Sequence, residues 1–327
     1  MGESDLGKVM DKTVRLSVII ATWNRAASLA EALSSIEKLE VPPTISWEVF
    51  IVDNNSTDDT KAVCQKFVRQ NPGRFHYLFE QRQGQSCALN TGIENAQGEI
   101  LVFTDDDITV DKHWLAETVK VYETFPCIGV GGKIVDTWVS EKPSWLSLDG
   151  PYKLMAAIVR LDRGDEPCEL TTPPYGANLS VRKEAFQKYG DFRTDLGPTG
   201  GSEIRGGDTE FCWRLLHAGE KLIYAPKAIV YHPVAENRIS KRYFKEWYYA
   251  FGQAAARMER APEHTVRYFG FPRYLLRTCL HDLLLWMTSF SAKRRFFYKL
   301  QLFITWGRLV EEKRLWQSRA ERDTPRS

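Results

Sequence analysis

The chain lacks the features that would place it in several large classes. Its six cysteines, Cys64, Cys87, Cys127, Cys168, Cys212 and Cys279, include no CxxC pair and no Cys–His spacing suited to zinc. A disulfide framework or a structural zinc site needs paired spacing, so these read as free, buried thiols of a reducing compartment. No apolar run reaches the ~18–20 residues that a membrane-spanning helix requires. Residues 1–12 lack the charged-then-apolar order of a signal peptide. The expectation is a cytoplasmic protein, free to lie against the inner face of the cell membrane. Neither GxGxxG nor GxxxxGK[ST] occurs. Those loops hold phosphates on backbone N–H groups, so dinucleotide oxidoreductases and P-loop enzymes lose support, and a nucleotide phosphate here needs a metal instead. Net charge is only +2 over 327 residues, which gives no general reason to invoke nucleic acid.

What is present is an ordinary globular composition, 43% hydrophobic and 26% charged. Residues 16–21 (LSVIIA) form a continuous apolar run rich in β-branched side chains, as suits a strand buried on both faces. Leu29, Leu33, Ile36 and Leu39 then mark one apolar helix stripe, and Pro42 and Pro43 follow it. Further strands are predicted at 47–52, 75–79 and 100–103, with helices around 62–68 and 88–96 between them. Such strand–helix alternation argues for an α/β sheet. The segment 129–234 is mixed, with strands expected at 128–135 and 222–230 and a helix at 209–218. Beyond 239 the chain turns long-helical, aromatic and basic.

In open α/β sheets ligands sit beyond the carboxyl ends of the strands, which singles out Thr22, Asp53, Gln83 and the run Asp105, Asp106, Asp107. Three adjacent carboxylates in a partly desolvated crevice repel one another, and their pKa values rise unless a cation neutralises them. Mg2+ or Mn2+ takes one or two carboxylates and completes its shell with phosphate oxygens. The plain alternative is a solvated acidic turn ahead of a helix. A second acidic cluster follows Gly206 and Gly207, where Asp208 reads either as an ordinary N-cap or as a general base aimed into the site.

The series LSVIIATWNR, EVFIVDNNSTDDT, QGQSCALNTGIENAQGEILVFTDDD, GANLSVRKEAF and GGDTEFCWRLLHAG, in this order, resembles the family 2 glycosyltransferases, which have the GT-A fold. The resemblance implies a metal-dependent, inverting transfer from a nucleotide-sugar, with UDP as the family-weighted nucleotide, to a glycan or lipid-linked acceptor. It places Thr22, Asp53 and Asn90 at the nucleotide and Asn178 at the donor sugar. Asp105 and Asp107 match the DxD metal motif, with Asp106 also at the diphosphate. His232 is offered as a third metal ligand, a hydrogen-bonded histidine at a strand end being the alternative. Asp208 falls on the catalytic carboxylate. Gly207 stands where the family often has an acid, which leaves Glu210 as the weaker second choice of base.

The implied organisation is a catalytic domain over residues 1–237, with its nucleotide-binding part at about 14–125 and an acceptor side at about 126–237, followed by a helical extension at 238–327. Trp138, Trp145, Tyr152, Tyr175 and Arg205 are acceptor-site candidates, with core packing the plainer role for each. Residues 238–308 hold 14 Lys or Arg against 4 Asp or Glu, a net of +10 among many aromatics. Basic aromatic helices suit an anionic membrane surface better than RNA, for which no binding module is recognisable. The alternative is a bundle packed on the catalytic domain or on a second subunit. Two rival functions remain. A sugar-phosphate nucleotidyltransferase would want a Gly- and Arg/Lys-rich loop after the first strand, and ATWNRAAS is poor in these. An inactive carbohydrate-binding or scaffold protein is favoured by Gly207 alone and opposed by the intact acids.

Overall fold

The computed structural model describes residues 14–201 and 203–323. The amino-terminal half alternates as read: β1 (Val14–Thr22), α1 (Ala26–Glu37), β2 (Ile45–Asp53), α2 (Thr60–Gln70), β3 (Phe75–Phe79), α3 (Gln85–Asn95) and β4 (Ile100–Thr104). The four strands are parallel in the order β3-β2-β1-β4. Leu16, Val18, Ile19 and Ile20 of β1 are wholly buried, because β1 lies inside the sheet with helices packed against it. The register sets Thr22 beside Asp53 and Ile20 beside Thr104, so the polar residues that end three strands emerge at one edge.

The second half extends the sheet. It comprises β5 (Thr109–Val110), α4 (Trp114–Thr124), β6 (Gly129–Trp138), β7 (Cys168–Glu169), β8 (Leu179–Arg182), α5 (Lys183–Tyr189), α6 (Gly207–His217) and β9 (Leu222–Val234). The sheet continues from β4 as β8-β6-β9-β5, with β7 on β9; β8 runs antiparallel to both neighbours and β6 parallel to β9. Because β5 follows the acidic run directly and pairs with β9 (Thr109 with Tyr231), it brings His232 alongside Asp107. The result is a mixed α/β sheet covered by helices, followed by a helical carboxyl-terminal region, as the resemblance implies.

That region consists of α7 (Lys241–Met258), α8 (Arg273–Met287) and α9 (Ala292–Asp323). It packs on the α/β part of the chain, one of the placements that its sequence allows. Leu146, Leu154, Ala157, Ile158 and Val234 share a hydrophobic cluster with Phe244, Tyr248, Phe296 and Leu300. Trp145 stands edge-on to Phe244 and Phe296, and Tyr152 lies against Phe297, so both aromatics pack between the two parts. Buried Glu311 and Glu312 on α9 hold Arg257 and Arg267, each at 2.8 Å. Arg257 also donates to the Asp195 carbonyl, tying the helices to the loop before α6. No helix among the described residues is long and apolar enough to cross a membrane. Cys64, Cys87, Cys127 and Cys212 are buried thiols as expected, whereas Cys168 is exposed and Cys279 half-buried.

α7 and α9 cross at two glycines. A Cβ on Gly252 would sit 2.0 Å from the Ile304 carbonyl oxygen, and one on Gly307 would sit 2.1 Å from that of Tyr249. Only backbone movement would relieve such a clash. Gly252→Val is therefore expected to cost about 1–3 kcal/mol or more, read as a thermal midpoint lowered by several degrees. An unchanged midpoint would show that the helices do not approach this closely.

Candidate active site

The acidic run leaves β4 with its end fastened, since the Thr104 hydroxyl donates to the Ala177 carbonyl at 2.8 Å. The three carboxylates then go different ways. Asp106 is buried and turns back to β1, accepting from the Thr22 hydroxyl at 2.8 Å and from Arg25 Nη1 at 3.1 Å. Asp107 faces β9, where its Oδ2 accepts from Arg25 Nη1 and Arg238 Nη2, both at 2.7 Å. Asp105, Asp107 and His232 each offer a ligand atom, and all these atoms lie within 4.8 Å of one another.

The chemistry of this donor set fits a hard or borderline divalent ion. Burial lowers the His232 pKa and so favours the neutral ring. Nε2 lies 3.3 Å from Arg238 Nη1, which can only donate, and 3.8 Å from Asp107 Oδ1, so in the tautomer with its proton on Nδ1 it has a lone pair to offer. Burial, reinforced by the charges of Asp107, Asp106 and Asp208, pushes the Asp105 carboxyl up to about 7. Burial likewise raises Asp106 to about 6, against the pull of Arg25. Asp107 resists its burial and stays below the usual carboxylate value, because Arg238 and Arg25 both donate to it. Two arginines thus balance part of the acidic cluster, and Asp105 is left as the carboxylate most in need of a cation.

Asp208 approaches from α6. It was read as a possible N-cap, but that position belongs to Gly206, whose φ of +103° suits glycine, and Asp208 lies in the first turn. Its carboxylate makes no helix cap. Instead Oδ2 accepts from the Gly176 N–H at 2.6 Å, and its charge acts on Asp105. Glu210, on the same turn, is held by Arg214 at 3.1 Å, and Arg214 in turn binds the carbonyls of Tyr189 and Asp191. The glycine at 207 has a local cause. A Cβ there would lie 2.7 Å from the Ser86 hydroxyl oxygen, which is itself fixed on the Leu196 carbonyl.

The sequence model of glycosyl transferase family 2 matches residues 17–190, a span running from β1 into the turn after α5. The chain belongs to this family. Among curated relatives, this family 2 glycosyltransferase is 26% identical over 258 residues to the succinoglycan biosynthesis protein ExoM of Rhizobium meliloti, covering 79% of each chain. It is 27% identical over 230 residues to the glucosyl-dolichyl phosphate glucuronosyltransferase of Haloferax volcanii, covering 69% of this chain and 71% of that one. Among solved structures it resembles the mannosyltransferase PcManGT of Pyrobaculum calidifontis in complex with GDP-Man and Mn2+. The TM-score is 0.53 at 18% identity, over 95% of this chain and 76% of that one.

In the glycosyltransferase the expected donor-site residues divide into two groups. Thr22 and Asp53 lie side by side at the strand ends. Asp53 is buried, accepting from the Ser56 N–H at 2.9 Å and the Tyr77 hydroxyl at 3.0 Å, which fixes its orientation at the floor of the crevice. Asn90 and Asn178 are the other group, and their amides are engaged with the scaffold. Asn90 both donates to and accepts from the Phe192 backbone. Asn178 donates to the carbonyls of Lys133 and Ala228 and accepts from the Trp114 indole, leaving neither amide hydrogen for a sugar. Trp138 and Arg205 also bind locally, to Asp136 and Glu203.

Two site residues were not anticipated. Arg25 lies three positions after Thr22, and its signal was a lone cation at the mouth of a crevice holding three acids. Arg238 was counted only in the charge of the extension, yet it reaches Asp107 from the 3-10 turn Glu236–Ile239. A boundary at 237/238 therefore passes through the site.

Proposed function

We propose that the chain transfers a sugar, with inversion, from a nucleoside diphosphate sugar, UDP being the expected nucleotide, to a hydroxyl of a glycan or lipid-linked acceptor. The observation that carries this reading is the convergence of Asp105, Asp107 and His232 with Asp208 in their electrostatic field. Mn2+ or Mg2+ held by Asp105, Asp107 and His232 would supply positive charge where the diphosphate leaves. Arg25 and Arg238, already at Asp107, add fixed cations on the same side, where negative charge develops in the transition state. Thr22 and Asp53 line the crevice for the nucleoside.

On the acceptor side the Gly176 N–H holds the Asp208 carboxylate in place. The carboxylate takes the proton of the acceptor hydroxyl as its oxygen attacks the anomeric carbon. The bond from that carbon to the diphosphate oxygen breaks with its electron pair on the diphosphate. One displacement needs no covalent intermediate. A lipid-linked acceptor is supported by the Haloferax relative, whose name carries a dolichyl phosphate substrate.

Metal dependence is the direct test. EDTA should abolish transfer and donor hydrolysis across a panel of sugar nucleotides, and Mn2+ or Mg2+ should restore both. Full activity in chelator would remove the metal role from Asp105, Asp107 and His232. Formation of sugar nucleotide from sugar phosphate and nucleoside triphosphate would favour the nucleotidyltransferase alternative.

A further inference from the structure

The helical region carries a surface that the transfer reaction does not use. On α8, Leu280, Leu284 and Met287 are 67%, 58% and 65% exposed. Their spacing of four and three places them on one face of the helix. The turn into α9 ends this stripe with Phe290, which is 100% exposed. Arg273 and Arg277 continue the face toward the helix start. From 273 to 299 the only acid is Asp282, and it is buried, accepting from the Thr305 hydroxyl at 2.8 Å.

Beside this tip lies a cavity of about 370 Å³ between α7, α8 and α9, lined by Lys241, Lys245, Arg295 and Lys299 with Trp286 and Phe296. Lys241 sits 5.7 Å over the Phe296 ring and Arg295 sits 5.3 Å over Trp286. Among the described residues no carboxylate pairs with any of the four cations. Four cations with apolar walls and no counter-ion suit a phosphate whose carrier is itself apolar. The cavity's Lys241 lies three residues after Arg238, which binds Asp107.

We infer that the α8–α9 tip docks on an anionic lipid bilayer. Leu284, Met287 and Phe290 enter the interface, and lipid phosphates occupy the cavity of Lys241, Lys245, Arg295 and Lys299. The mouth of the transferase site then faces the bilayer; this last point rests on the lipid-linked acceptor proposed above. Apolar insertion and cation–phosphate attraction act together on such a face. A second copy fits it less well, because two faces rich in cations would be brought into contact.

Flotation of the full chain with vesicles tests the inference. Vesicles of phosphatidylcholine with phosphatidylglycerol should bind at least tenfold more protein than phosphatidylcholine alone, and 0.5 M salt should remove most of that difference. Met287→Asp with Phe290→Asp should bring binding to background. Lys245→Gln with Lys299→Gln should reduce the anionic preference by roughly tenfold. All four changes lie on exposed or cavity-lining side chains, and unchanged melting curves would show that the fold survives. Equal binding to both vesicle types, or binding indifferent to Met287→Asp with Phe290→Asp, would overturn the inference. So would a concentration-dependent dimer dissolved by that pair, which would assign the face to a second copy. Inorganic phosphate that displaces the protein from vesicles at micromolar concentration would mark a site for a soluble anion instead. Donor hydrolysis without vesicles should be the same in every variant. In the parent, hydrolysis without vesicle binding overturns the docking alone, whereas binding without hydrolysis overturns the transferase reading.

Discussion

Asp208→Asn is expected to lower turnover by ~10²- to 10⁴-fold, the usual size of a general-base contribution, while the fold and donor affinity stay near the parent's. The fold should survive because Gly206 occupies the N-cap position of α6 and the Asp208 carboxylate makes no cap bond. An asparagine oxygen can still accept from the Gly176 N–H, which keeps the side chain in place. Only the capacity to take a proton is lost. Nucleotide affinity should hardly move, because Asp208 is not among the side chains that can share a metal ion. A fall in kcat with KM for the donor unchanged is the expected signature. Glu210→Gln is the matched control. It removes the charge facing Arg214, at a position engaged with α5 and its following turn, and should leave most of the turnover. If Asp208→Asn retains more than about a tenth of parental turnover while Glu210→Gln loses it, the base is Glu210.

The contrast between these acids also marks what the sequence can reveal. The parallel half of the sheet was legible because β1 and β4 are buried on both faces and are written as unbroken apolar runs. The end of β4 was legible because three adjacent carboxylates after such a run have few structural explanations. The acceptor side was harder to read. β5 and β8 are short, and β8 runs antiparallel between strands contributed by distant parts of the chain. The bonds of Asn178 are of a kind no motif shows: its amide joins β6, β9 and α4, contacts set by long-range packing. Arg238 was hidden for a related reason. In a segment of net charge +10, one more arginine carries no signal until β9 directs its successor turn onto Asp107. The aromatic tail, read as either membrane surface or packed bundle, contains both kinds of residue. Phe244, Phe296 and Leu300 build the shared core, whereas Leu284, Met287 and Phe290 face outward.

Asp107→Asn should do the reverse of Asp208→Asn. Binding of Mn2+ and of nucleoside diphosphate should weaken together, by about a hundredfold or more, since losing even a group that supports a metal ligand costs ~10- to 100-fold. Two effects combine at this position. The substitution removes one of the three side chains that converge on the ion site, and it leaves Arg238 without its carboxylate partner. Arg25 keeps Asp106, so the β1 end of the crevice should hold its shape. Asp106→Asn supplies the comparison. Its oxygens bind Thr22 and Arg25 rather than facing the group formed with His232, so its effect on Mn2+ affinity should be the smaller one. Titration calorimetry with nucleoside diphosphate, in Mn2+ and in chelator, separates the two. The parent should bind tightly only with metal, Asp107→Asn weakly under both conditions, and Asp106→Asn should keep most of the metal-dependent gain. Should Asp106→Asn lose that gain while Asp107→Asn retains it, the metal belongs to Asp105 and Asp106, and the arginine pair on Asp107 is a structural ion pair.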